Sequence, residues 1–190
     1  DFDEGIKKYK QNNPEFLSNF VEVLRKVNKS EEAIEIGKRA VKANPNKANA
    51  HSNLGLAFYD CEDLIEAEAS QRRAIALNPD YDHALNNLGS IAFDNEEYDE
   101  AIKYYRAALN VNPSSIEFSN NLIIALIQNE NLSDAREIVN SAIKLQPNNS
   151  KLQNNIGKLA LLDNDLDAAE VAFRSSISSS DDEPDAYLGL

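Results

Sequence analysis

Small and apolar residues recur along this chain at a fixed interval. Alanine stands at Ala33, Ala67, Ala101, Ala135 and Ala169, each 34 residues after the last. Ala40, Ala74, Ala108 and Ala142 keep the same step, with Ser176 in the next place. An aliphatic follows each, at Val41, Ile75, Leu109, Ile143 and Ile177. An earlier set reads Phe20, Leu54, Leu88, Leu122 and Ile156, followed by Gly55, Gly89 and Gly157 in three units and by Val21 and Ile123 in the other two. Small residues at set places let two helices approach closely, and aliphatics at helical spacing fill the seam. Polar turns such as Asn28-Lys29-Ser30, Glu62-Asp63 and Asn164-Asp165 separate the two apolar patterns. Pro45, Pro79, Pro113 and Pro147 close them, each after an amide residue. Proline lacks the backbone N–H and restricts its predecessor, so a helix stops there. Each unit reads as helix, short turn, second helix, proline stop.

A period of this length predicts stacked supersecondary units in place of one central core. The pattern resembles the tetratricopeptide repeat, over residues 14–183, as five units at 14–47, 48–81, 82–115, 116–149 and 150–183. The family's leucine–glycine pair stands at Leu54-Gly55 and Leu88-Gly89, while its aromatic near the start of the first helix is replaced by Leu17, His51, Leu85, Ser119 and Gln153. The fifth unit has Asp181 where the proline is expected. The resemblance implies an all-α fold, an α-solenoid wound as a right-handed superhelix of helix-turn-helix repeats. Residues 1–13 read as the second helix of an earlier, shortened repeat, since Phe2 to Lys7 mirrors Tyr98 to Lys103. Residues 184–190 read as the start of a further, truncated repeat. The array is therefore expected to continue in one or both directions.

Counting 34 positions per unit, residues 2, 6, 9 and 13 of each first helix share one stripe, because they lie three or four apart. In tetratricopeptide arrays that stripe lines the concave surface. Position 6 is asparagine in all five units, Asn19, Asn53, Asn87, Asn121 and Asn155, and position 5 adds Asn86, Asn120 and Asn154. An asparagine side chain offers two donors and one acceptor oxygen. A row of them suits the N–H and C=O groups of an extended peptide, and it resembles the asparagine ladder in the repeat arm of O-linked N-acetylglucosamine transferases. Bonding within the array is the other reading of the same row. Beside it stand Leu56, Tyr59, Phe93, Ile124, Ile127 and Leu161 at positions 9 and 12, either as peptide contacts or as inter-repeat packing. Tyr59 and Phe93, at one position in adjacent units, are the better candidates for an apolar contact. Clamping of a terminal carboxylate by lysine and arginine, known in chaperone adaptors of this family, fits poorly. The stripe carries Glu15, Glu22, Asp60 and Asp94, and the basic residues on or beside it, Arg25, Lys26, Lys151 and Lys158, lie at opposite ends.

The net charge of −13 argues against nucleic acid, which is bound by neutralising phosphates with lysine and arginine. It also disfavours anionic membranes and favours a neutral or basic partner. No run of about 18 apolar residues is present, so no membrane insertion is expected. A single cysteine, Cys61, excludes an intrachain disulfide and fits a reducing, cytoplasmic setting. Two histidines, His51 and His83, with one cysteine cannot close a zinc site alone. Neither a glycine-rich phosphate loop nor a nucleophile elbow appears. No metal or cofactor is expected, and no catalytic residue is assigned.

The chain is thus expected to be a non-catalytic scaffold or adaptor that binds an extended protein segment in an asparagine-lined groove. Two alternatives stay open. One is the substrate-recruiting arm of a larger enzyme, such as an O-linked glycosyltransferase. The other is a self-assembling scaffold paired through terminal repeats.

Overall fold

The computed structural model describes residues 13–179. The partial repeat read at residues 1–13, apart from Asn13, and that at 184–190 lie outside the described residues, as does Asp181. Among the described residues there are ten helices and no strand: α1 Pro14–Lys26, α2 Ser30–Ala43, α3 Ala48–Tyr59, α4 Leu64–Leu77, α5 Asp82–Asp94, α6 Tyr98–Val111, α7 Ile116–Gln128, α8 Leu132–Leu145, α9 Ser150–Leu162 and α10 Leu166–Ser179. The fold is all-α, a solenoid of helix pairs. Its contacts divide the chain after Asn95 into two compact bodies.

In the first body, α1 packs on α2, α3 on α4, and each neighbouring helix onto the pair before it. Leu17 of α1, Ala40 of α2 and Ala50 of α3 meet in one buried cluster, and Val21, Leu24, Ala33 and Ala57 in another. The second body repeats the scheme in α7 on α8 and α9 on α10. The alanines of the second helices are sealed: Ala33, Ala67, Ala101 and Ala135 are 0% exposed.

Glycine marks where even a methyl group is too much. A Cβ on Gly55 would lie 2.7 Å from the Gln71 amide nitrogen and 3.1 Å from the Ala67 carbonyl oxygen. On Gly157 it would lie 2.6 Å from the Phe173 ring. Gly37 is reciprocal in kind, because its missing side chain is replaced by Leu54 of α3, whose Cδ1 would stand 2.9 Å from the added Cβ.

Both turn types have a repeated hydrogen-bond scheme. After the first helix of each pair, one residue takes the left-handed conformation: Asn28, Glu62, Glu96, Glu130 and Asn164, with φ of 57°, 61°, 61°, 56° and 58°. At four of these turns two N–H groups reach back to the last helical carbonyls. Lys29 donates to Leu24 and Asn28 to Arg25, and the same pairs recur at Asp63, Asn131 and Asp165. That is the Schellman ending, which normally employs glycine or asparagine at the left-handed position. Glutamate there carries a Cβ clash worth about 1–2 kcal/mol. After the second helix the amide residue before each proline accepts from the residue three on. Lys47 donates to Asn44, Tyr81 to Asn78, Ser115 to Asn112 and Asn149 to Gln146. Proline presets φ at the second place of such a turn.

The polar residues at the family's aromatic position have work of their own. The His51 Nε2 lies 2.8 Å from the Pro45 carbonyl oxygen, and the Gln153 amide donates to the Pro147 carbonyl at 2.9 Å. Each tethers the start of a first helix to the turn before it.

Glu62→Gly should raise stability by about 0.5–1 kcal/mol, the relieved clash less the entropy that glycine adds to the unfolded chain. A higher urea midpoint at constant slope reads this, and Glu62→Ala should give no such gain. Gly157→Ala should cost about 1–3 kcal/mol by overpacking, and Phe173→Leu in the same chain should recover most of the loss in the same unfolding assay.

Candidate functional site

Three of the five asparagines at position 6 are held by hydrogen bonds within the fold. In the first body the Asn53 amide donates to the backbone carbonyl of Ser18 at 3.0 Å. The Asn87 amide donates to the Ser52 hydroxyl at 3.4 Å. In the second body the Asn155 amide donates to the Asn120 side-chain oxygen at 2.7 Å. Each bond spans 35 residues and joins position 6 of one unit to position 5 of the unit before. Position 5 therefore supplies the acceptors, and its buried members are small and polar: Ser18, Ser52, Asn86 and Asn154.

Burial sorts the row. Asn19 is exposed, Asn53, Asn87, Asn120 and Asn121 are half-buried, and Asn86 and Asn155 are buried at 4% and 2% exposure. Asn154, at 6%, has a buried side-chain oxygen that meets no hydrogen-bond partner. Asn86 and Asn155 thus serve contacts between neighbouring helices, while the half-buried members keep part of their surface open.

Position 12 has a second ladder. The Arg25 guanidinium grips Asp60 with two bonds, of 2.6 and 3.0 Å. One unit on, the Tyr59 hydroxyl donates to Asp94. Both contacts run from position 12 to position 13 of the next unit. Tyr59 therefore presents a tethered ring and not a free phenol; Asp60 is paired with a cation, while Asp94 accepts a hydrogen bond from a neutral hydroxyl. Lys26 pairs with Glu22 at 2.8 Å, a contact that holds the Glu22 carboxyl below its usual range. The basic residues at the end of α1 are consequently committed, which further disfavours a carboxylate clamp there.

In the first body Leu56, Tyr59 and Asn87 come together around one small recess, completed by Gln71, Ser90 and Ile91. Phe93 is half-buried on α5 and does not line it. The sequence analysis missed Gln71. The available signal was its register: position 24 holds Gly37, Gln71, Tyr105, Val139 and Phe173, so a carboxamide stands in an otherwise non-amide series.

Other chemistry is sparse among the described residues. No group of three or more histidine, cysteine or acidic side chains is placed to hold a metal ion. No helix is long and apolar enough to cross a membrane. Cys61 is half-buried. Its thiol is pushed up first by burial and then by Glu31, Asp60 and Asp63, which keeps it protonated and a poor nucleophile. His83 is exposed and meets the Tyr81 ring edge-on.

A family model described as tetratricopeptide repeat matches residues 19–82 and 62–116, and another so described matches residues 92–159. None of the curated proteins matches. Among solved structures the chain is similar to YrrB, a TPR protein with an unusual peptide-binding site, at 19% identity over 98% of this chain and 96% of that one, with a TM-score of 0.70. It is similar to MamA from Desulfovibrio magneticus at 19% identity, over 87% and 94% of the two chains, with a TM-score of 0.75. It is similar to pilF of Pseudomonas aeruginosa at 18% identity, over 95% and 82%, with a TM-score of 0.83. At these identities the likeness is one of fold.

Asn155→Ala should cost about 1–3 kcal/mol, because it strips a buried partner from Asn120. Asn19→Ala, at an exposed site, should stay within about 0.5 kcal/mol. Paired urea unfolding of the two variants checks both.

Proposed function

The chain belongs to the tetratricopeptide repeat family, and from that premise we propose that it holds an extended segment of a partner protein along the asparagine-bearing faces of its first helices. A fold of this family supports a protein-interaction scaffold in general, and its members are generally non-catalytic. The observation that carries the finer reading is the pair of inter-repeat bonds at Asn53 and Asn87. Each takes one amide hydrogen and leaves a second hydrogen and the side-chain oxygen, in a rotamer already fixed. A partner backbone meeting these groups loses less entropy on their side. Each bond it makes is worth roughly 0.5–1.5 kcal/mol, so several in register reach micromolar affinity after ordering costs. Contacts to the backbone leave sequence preference loose. The similar YrrB fold, described as having an unusual peptide-binding site, supports peptide binding by a chain of this fold. The segment is neutral or basic, in keeping with a net charge of −13.

The test is a quantitative pull-down from the source cell with the chain and with Asn53→Ala/Asn87→Ala/Asn121→Ala as baits. A partner should drop by about tenfold or more on the triple variant, while its helical circular dichroism persists at the assay temperature. Equal recovery on both baits would show that these asparagines serve only contacts between repeats.

A further inference from the structure

The first helices of the second body differ from those of the first at positions 9 and 13. Where the first body carries Glu22, Asp60 and Asp94, the second carries Ile124 and Gln128 on α7 and Lys158 and Leu162 on α9. These two helices are in contact, and the bond from Asn155 to Asn120 sets their register. Lys158 therefore shares its level with Ile124, and Leu161 with Ile127. The isoleucines are half-buried, but Leu161 and Leu162 are 41% and 56% exposed, and Lys158 is exposed as well. Adjoining aliphatic surface left open in this way marks a contact with something else. Lys158 also has no carboxylate to answer it. The residues three and four away on its helix are Asn154, Asn155, Leu161 and Leu162. Among the described residues none of the ion pairs includes it, and Asp163, at the end of the same helix, is held by Arg136 at 2.5 Å. Lys151 is different, because Glu117 occupies its register position on α7.

We propose that this face of α7 and α9 takes an acidic, aliphatic segment of a partner protein. Leucine-type side chains of the segment cover Ile124, Ile127, Leu161 and Leu162, and an aspartate or glutamate side chain meets Lys158. The lysine stem lies along the leucines while its ammonium reaches the carboxylate. Aliphatic side chains around that pair exclude water and strengthen it. A basic segment is rejected, since it brings like charge to Lys158 and finds no carboxylate at these four places. The carboxylate belongs to a side chain within the segment, because a single cation stands here and a terminus is gripped by several. This site goes beyond the reading given for Asn53 and Asn87: it stands on the second body alone, and it prefers charge of the opposite sign.

The experiment selects a random peptide library displayed on phage against residues 1–190, with counter-selection on Leu161→Ser/Leu162→Ser. Recovered peptides are made with amidated C-termini, each beside a form whose Asp and Glu become Asn and Gln and a form with lysine at the enriched acidic position. Affinities are read by fluorescence polarisation. The substituted side chains are exposed, so the variants should keep the helical circular dichroism of the parent. The wild-type chain should enrich aliphatic peptides with an acid at one position and bind the acidic form about tenfold more tightly than the amide form. Lys158→Glu should lose that preference and favour the lysine form. Leu161→Ser/Leu162→Ser should bind about tenfold more weakly. An acidic-to-amide ratio that is the same on the wild-type chain and Lys158→Glu would overturn the proposal. So would recovery of no peptide, or binding that vanishes on amidation of the terminus. Light scattering that finds a dimer of the wild-type chain and a monomer of the leucine variant would give the face to a second copy. Tighter peptide binding by a chain ending at Ser179 would give it to residues 180–190, and either result overturns the proposal.

Discussion

The nearness of paired helices rests on the alanines in the first turn of each second helix. With no side chain beyond Cβ, Ala33, Ala67, Ala101 and Ala135 are sealed completely. The larger residues around them then interdigitate at crystal-like density. In this architecture stability is close to a sum of unit and interface terms, so each seam matters locally and none dominates. Where alanine is still too large the chain uses glycine, and the opposing residue grows to match: Gln71 against Gly55, Phe173 against Gly157, Leu54 against Gly37. The site inherits its geometry from these seams, because the asparagines project from helices whose spacing the small residues set.

The fold class was legible because its signal is redundant. One interval appears in the prolines, both alanine series and the aliphatics, and each has a separate physical cause. The left-handed turn residues were less legible. Asn28 and Asn164 suit that conformation, but Glu62, Glu96 and Glu130 carry no such signature. There the surrounding hydrogen bonds override local preference. The polar replacements at the family's aromatic position were likewise opaque, since only the structure shows His51 and Gln153 reaching for prolyl carbonyls.

The candidate site was legible as a row and not as a set of roles. Position alone cannot say that Asn155 is buried while Asn19 is exposed, because that depends on which helices cover each one. Nor can it show that one amide bonds within the array and retains capacity for something else. The two readings of the asparagines are therefore compatible: the bond that joins neighbouring repeats uses one amide hydrogen of Asn53 or Asn87. Gln71 escaped notice for a different reason. A buried carboxamide stands out only once the burial and the orphaned oxygen are both known.

The glycine pairings differ in reach, and that difference bears on how such a chain can be cut and rejoined. Gly55 with Gln71, and Gly157 with Phe173, lie within one 34-residue unit, so a copied or transplanted unit would bring its own complement along. Gly37 meets Leu54 of the following unit. A break placed after the first helix pair would separate a cavity from the residue that fills it. By the glycine pairings alone, shuffling of repeats should be more permissive around the second and fifth units than across the junction of the first two.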